Sequence, residues 1–189
     1  VDTSAWNSVC DSTRACVPQK DTSAKLDAIA DRFMWRLAYR NFGSYQTLVT
    51  NQTVNDGAGR AVVRWYEIRD PHAATPTIYQ QSTYAPADGI SRWMGSAAQD
   101  KLGNLMIGFS GSSGSQFPDI RYAGRLQGDP LNNLAQGETV MLAGGGSQTS
   151  TGSRWGDYSN LTLDPTDDCT FWYTNQVYTT TSVNLWSTA

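Results

Sequence analysis

Glutamate is nearly absent: among 189 residues only Glu67 and Glu138 occur. A chain so short of a strong helix former gives little reason to expect long helices. Histidine is scarcer still, with His72 alone. A Ser-His-Asp relay would rest on that one residue, and no Gly-x-Ser-x-Gly elbow accompanies it. A histidine-based zinc centre is short of ligands for the same reason. No run of about 18 apolar residues exists, which excludes a membrane-spanning helix and with it a membrane partner. Basic charge is in deficit, 14 Lys and Arg against 17 Asp and Glu. The net charge of −3 leaves no basic face for a phosphate backbone, so no nucleic-acid partner is expected.

What the chain does have is seven Trp, nine Tyr and 17 Gly set among Ser, Thr, Asn and Gln. Aromatic and Thr-rich runs broken by Gly suit strands and turns, so the expected class is all-β. Of three cysteines, Cys10 and Cys16 lie close enough for a small disulfide loop, and Cys169 is left over. Such a bridge belongs to an oxidising compartment, and the expected location is secreted or periplasmic, with Val1 following a removed leader. Two sequons, Asn51-Gln52-Thr53 and Asn160-Leu161-Thr162, matter only in a host that glycosylates.

Laid against itself, the chain repeats. Segments opening DRFMWRLAYRNFGSYQTLVTN at Asp31, SRWMGSAAQDKLGNLMIGFSG at Ser91 and SRWGDYSNLTLDPTDDCTFWYTN at Ser153 each place an Arg before a large aromatic. Arg32, Arg92 and Arg154 stand 60 and 62 residues apart. Gly43 and Gly103 each follow their arginine by 11, and Asp167-Asp168 fill the turn of a slightly longer third copy. An apolar strand follows each turn: Tyr45 to Thr50, Leu105 to Phe109, Cys169 to Thr174. A third strand is expected at Val62 to Arg69, Ile120 to Leu126 and Val183 to Thr188, and a fourth at Thr77 to Tyr84 and Thr139 to Ala143. Four short antiparallel strands per repeat describe a propeller blade. A β-sandwich would account for the strands but not for the shared opening and turn register. Leu26, Ile29, Phe33 and Leu37 fall at helical spacing, so helix and strand both stay open for residues 24–30.

The expected organisation is therefore one propeller fragment over 1–189. Residues 1–30 would be an N-terminal segment holding a fourth strand for a neighbouring blade. Blade one covers 31–84, blade two 85–143, and an incomplete blade three 144–189. Three blades do not close a ring. Open sheet edges invite another chain, and two-fold pairing is the commonest closure. The expected partner is a second copy, giving a six-bladed β-propeller as a homodimer.

The stretches RLAYRNFGSYQTLVTNQTV, VRWYEIRD, STYAPADGISRWMGSAAQD, IRYAGRL and above all SRWGDYS and DDCTFWYTN resemble the C-terminal part of large secreted bacterial proteins of the sialidase-like (BNR-type) β-propeller family. The resemblance covers nearly all of the chain and implies a propeller fold. It also implies truncation: such chains continue past the position of Trp186 into one more strand and a terminal Cys, which would be the partner of Cys169. The family's Asp-box, Ser-x-Asp-x-Gly-x-x-Trp, is absent. Its nearest echoes, Asp100-Lys101-Leu102-Gly103-Asn104 and Asp164 to Trp172, read as turn chemistry.

In a propeller the first strand of each blade lines the channel, which would gather Arg32, Arg92 and Arg154 at its mouth. Converging arginines suit a carboxylate or phosphate, as the resemblance also implies. Alternatively each locks a neighbouring carboxylate or carbonyl. Asp157 and Tyr158, just after Arg154, are the catalytic candidates, with a turn role as the other reading. Trp155, with Trp93, Trp172 and Tyr173, suits either core packing or sugar stacking. Glu67 and Glu138 lie away from the axis, which weakens a sialidase-type Tyr–Glu mechanism. Asp164, Asp167 and Asp168 leave a divalent metal ion such as calcium open as a cofactor, and His72 reads as an ordinary loop residue. The Gly144-Gly145-Gly146 run lacks the Lys-Ser/Thr of a phosphate loop. Two functions follow: a hydrolase of an anionic ester (phosphoesters included) or glycoside, or a non-catalytic module binding a small-molecule or carbohydrate ligand.

Overall fold

Every element in the computed structural model is a strand. It describes residues 5–11 and 13–189. Residues 1–4, at the start of the expected N-terminal segment, and Ser12 lie outside the described residues. β1 (Ala15–Val17) and β2 (Leu26–Asp27) pair with each other. The ambiguous stretch 24–30 is thus not helical: it is strand at Leu26–Asp27 and then turns, with Ile29 at φ 42°, and Leu26, Ala28, Ile29 and Ala30 are all buried. Cys10 and Cys16 form the disulfide. The N-terminal segment lies against its own chain. Gln19 donates to the Gln148 carbonyl at 2.8 Å and accepts the Gln148 N–H at 2.8 Å.

The first sheet is a meander of β3 (Ala38–Asn41), β4 (Gln46–Asn55), β5 (Ala61–Arg69) and β6 (Thr77–Tyr84). The second is the same meander in β7 (Ser91–Gln99), β8 (Leu105–Ser113), β9 (Gln116–Arg125) and β10 (Glu138–Leu142). Turn chemistry fixes the first hairpin of each. The Asn41 carboxamide accepts the Gly43 N–H, and the Asp100 carboxylate accepts the N–H groups of Leu102 and Asn104. Gly43 and Gly103 adopt φ of 82° and 86°, where a Cβ would be strained. The third repeat forms two separate strand pairs instead of one four-stranded sheet. β11 (Asn160–Leu163) pairs with β12 (Phe171–Thr174), and β13 (Gln176–Tyr178) pairs with β14 (Trp186–Thr188). Only Asn175 separates β12 from β13.

Side chains alternate across the second sheet, and this places the core on both its faces. Ala97, Ile107 and Phe109 meet Val49, Val63 and Trp65 of the first sheet. Ala98 and Met106 meet Leu161, Tyr173 and Val177 of the third repeat. The second sheet is therefore packed between the first sheet and the strand pairs of the third repeat. Gly108 has no side chain because the Tyr173 ring lies there, where a Cβ would approach it to 2.5 Å. Gly144, Gly145 and Gly146 likewise have backbone where their Cβ atoms would be, so this run is a close-packed connection. A third cluster joins Val17, Leu26 and Met34 to Trp93, Trp155 and Tyr178, with the disulfide packed against it.

The strands are antiparallel throughout and no sheet closes on itself. The Arg–aromatic openings are not equivalent in the sheets. Arg92 lies within β7, whereas Arg32 and Arg154 each precede their strand by six residues. β7 carries a bulge between Trp93 and Ser96, with Met94 at φ 53°.

Candidate functional site

Residues 153–158 turn sharply. Ser153, Gly156 and Asp157 all have left-handed φ, at 56°, 59° and 59°. The Asp157 N–H reaches the Trp155 carbonyl at 2.6 Å, and the Tyr158 N–H reaches the Gly156 carbonyl at 2.8 Å. Non-glycine residues in this region cost energy and cluster where a chain is held for a purpose. The turn sends Trp155 one way and its neighbours the other. Trp155 goes inward, stacked on Tyr178 with ring centroids 5.5 Å apart, its indole N–H donating to the Ser110 hydroxyl at 3.0 Å. Arg154, Asp157 and Tyr158 go outward. The Arg154 Nε donates to Asp157 Oδ1 at 2.7 Å, and its Nη2 bonds Oδ2 of the same carboxylate.

These outward residues wall a cleft of about 390 Å³. Gln148, Ser150, Asn175, Gln176 and Trp186 line the same cleft. Trp186 is 57% exposed. Its register partner is Tyr178 of β13, so the two aromatics share one face of the strand pair.

Charges around this mouth cancel in pairs. Arg14 meets Asp27 at 3.1 Å, and Arg32 meets Asp31 at 2.8 Å. Asp31 first, and Tyr158 after it, hold the Arg32 guanidinium above its ordinary range, while Arg32 in turn lowers Asp31. Arg32 and Tyr158, 126 residues apart in sequence, are thereby neighbours. Asp157 raises Arg154 in the same way.

Arg92 and Trp155 are not where a ligand would find them. Arg92 is 1% exposed, with Asp88 Oδ2 at 2.6 Å and Glu138 Oε2 at 2.6 Å. Glu138 also accepts from Arg121 at 2.5 Å, and Arg121 holds Asp119 at 2.7 Å. A buried guanidinium must be neutralised where it lies, and this network does so. Arg92, acting against the burial of the carboxyl, brings Asp88 down to about 2. Burial, and then Glu138, push Tyr84 up to about 12. Burial raises Asp119 despite its arginine. The gathering of Arg32, Arg92 and Arg154 around one anion therefore fails at Arg92, and Trp155 is core because its ring is the wedge between Trp93 and Tyr178.

The remaining candidates separate cleanly. Trp93 and Tyr173 are buried, whereas Trp172 is exposed, its indole N–H donating to Asp164 at 3.1 Å. His72 is exposed, its ring 6.1 Å from that of Tyr39. Glu67 is buried against Arg69 and Gln80. Asp164 and Asp167 accept backbone N–H groups of their own turn, and Asp168 pairs with Arg40. Among the described residues no group of three or more His, Cys, Asp or Glu is arranged to hold a metal ion. Asn51 is fully buried in β4, so its sequon is closed to a glycosyltransferase in the folded chain. Cys169 is free and half-buried. No helix among the described residues is long and apolar enough to cross a membrane.

Sequence reasoning singled out Arg154, Asp157 and Tyr158, which line this cleft, and did not single out Trp186, Gln148, Asn175 and Gln176, which line it with them. Those four lie on segments that only the fold brings together, and their residue types carry no motif. No protein-family model, curated protein or solved structure matches this chain.

Proposed function

We propose that this chain is a propeller-type sheet module that two copies complete, and that the Arg154–Asp157–Tyr158 cleft is its ligand site at the seam. One observation carries the reading. The stacking rule inside the chain, each sheet face covered by the next, stops at both ends and leaves exposed aromatics there. Phe33, Trp35, Leu37 and Tyr39 are more than half exposed beside the first sheet, and so are Trp172 and Trp186 at the third. Exposed apolar groups gathered at sheet ends mark a contact surface. Pairing these ends between two copies would give six sheets, the ring size expected for a dimer. Light scattering tests it: a mass near twice 20.7 kDa supports pairing, and a mass near one chain at micromolar concentration rejects it.

The cleft's chemistry favours a neutral, hydroxyl-rich ligand. Its lining offers amides, hydroxyls and the Trp186 face, and its one arginine and one carboxylate are bound to each other. An aromatic platform beside amides suits a sugar ring better than a free anion. Titration with neutral oligosaccharides, followed by tryptophan fluorescence, is the direct measurement. Saturable quenching lost in Trp186→Ala supports the reading, and no response across the panel rejects it.

A hydrolytic role rests on a different observation, the tight turn that aims Asp157 and Tyr158 into the same cleft. In that role Asp157 would take a proton from water or from the Tyr158 hydroxyl while Arg32 steadies the tyrosine. Turnover on a panel of glycosides, phosphoesters and carboxyl esters, abolished by Asp157→Asn with dimer mass unchanged, distinguishes catalysis from binding.

A further inference from the structure

Among the described residues Arg36 is left without any partner, whereas Arg64 and Arg125 are held by hydroxyl, amide and carbonyl oxygens. Among the described residues Arg36 has no ion pair and no hydrogen bond, and its Nε is buried without a partner. Arg14, Arg32, Arg40, Arg60, Arg69, Arg92, Arg121 and Arg154 each meet an acid. A guanidinium stripped of water at one edge loses hydrogen-bond energy unless something replaces it.

The place it occupies is shaped. Arg36 lines a cleft of about 130 Å³ between the innermost strands of all three repeats, with Tyr39 and Arg40 of β3, Gln99 of β7 and Thr162 of β11. That is room for roughly four waters, too small for an oligosaccharide. The lining holds two cations and no carboxylate. Arg40 spends one Nη on the Gln99 carbonyl at 3.3 Å and the other on Asp168, outside the lining. With Asp168 counted, the cleft still carries one positive charge, in a chain whose net charge is −3.

We propose that this cleft is a binding site for a small oxyanion, a carboxylate or phosphate group, taken in the fork of Arg36 and supported by Arg40 and the Thr162 hydroxyl. A planar guanidinium presents parallel N–H donors to two oxygens of such a group. The site is separate from the Arg154 cleft and stands whether or not that cleft binds a sugar. It also differs from the anion site expected at Arg32, Arg92 and Arg154, whose guanidinium groups are already neutralised.

Calorimetric titration of the full chain with inorganic phosphate, and separately with acetate, at ionic strength matched by chloride, tests the assignment. Wild-type protein should bind at least one of them saturably. Arg36→Gln should weaken that binding by about tenfold or more, the loss of a charge-assisted fork. Lys25→Gln, which removes an exposed positive charge outside both clefts, should bind as wild type does. Arg36→Lys keeps the charge but not the fork and should bind more weakly than wild type, which keeps the test decisive if Arg36→Gln does not fold. Phosphate alone binding points to a tetrahedral ligand, and acetate competing with it to a carboxylate. No saturable heat with either anion, or equal affinity in the Arg36 variants, overturns the proposal.

Discussion

Arg92 and Glu138 meet through two hydrogen bonds, Nε to Oε2 at 2.6 Å and Nη2 to Oε1 at 3.0 Å. They join the first strand of the middle sheet to its last, 46 residues on. A strand pair that far apart in one meander shares no backbone bond, so this ion pair spans the sheet where the ladder cannot.

Glu138→Gln should therefore be costly. It leaves Arg92 and Arg121 sharing Asp88 and Asp119 alone. Breaking a buried pair by removing one partner costs about 3 kcal/mol or more. Urea unfolding followed by tryptophan fluorescence should show a lower midpoint with little change in slope.

Acid should act through Asp88. Its folded value, about 2, lies below its ordinary 3.8. A carboxylate lowered on folding stabilises the native state above its unfolded value, and that contribution is lost as pH falls through the folded one. Stability should thus fall between about pH 4 and pH 2. Asp119, raised by burial, works in the opposite sense and offsets part of the loss. In Asp88→Asn the decline over that window should be shallower, measured as unfolding midpoint against pH.

Two tryptophans that look alike in sequence should behave oppositely. Trp155→Ala removes the ring stacked on Tyr178 and should cost about 4 kcal/mol. Trp186→Ala removes a side chain 57% exposed and should change stability by no more than ~0.5 kcal/mol, its effect appearing in ligand titration instead. Thermal unfolding of the two variants side by side checks the contrast.

The cysteines should divide under alkylation. Cys169 should react with iodoacetamide without reductant, and Cys10 and Cys16 only after reduction. Mass spectrometry of tryptic peptides reads this directly. Cleaving a bridge between residues six apart should cost about 2 kcal/mol by the loop-entropy estimate.

The sequence by itself indicated the all-β class, the strands of the first two sheets and the turns that open them. Alternating Thr, Val and aromatic residues have a period of two whatever surrounds them. An Asn or Asp side chain closing its own turn, as at Asn41 and Asp100, is a local event within a few residues. The disulfide was legible for the same reason. The exposed trio Arg154, Asp157 and Tyr158 could be named because they sit in one short polar turn.

Tertiary structure decided what each arginine and tryptophan does. Arg32, Arg92 and Arg154 share a motif, yet Arg92 lies within β7 and is buried while the other two precede their strands and stay in solvent. Burial and charge pairing depend on which distant strand arrives opposite, Glu138 for Arg92 and Tyr178 for Trp155. Arg36 shows the same in reverse. Its neighbours in sequence say nothing of the cleft it lines, because that cleft exists only where three strands from three repeats come together.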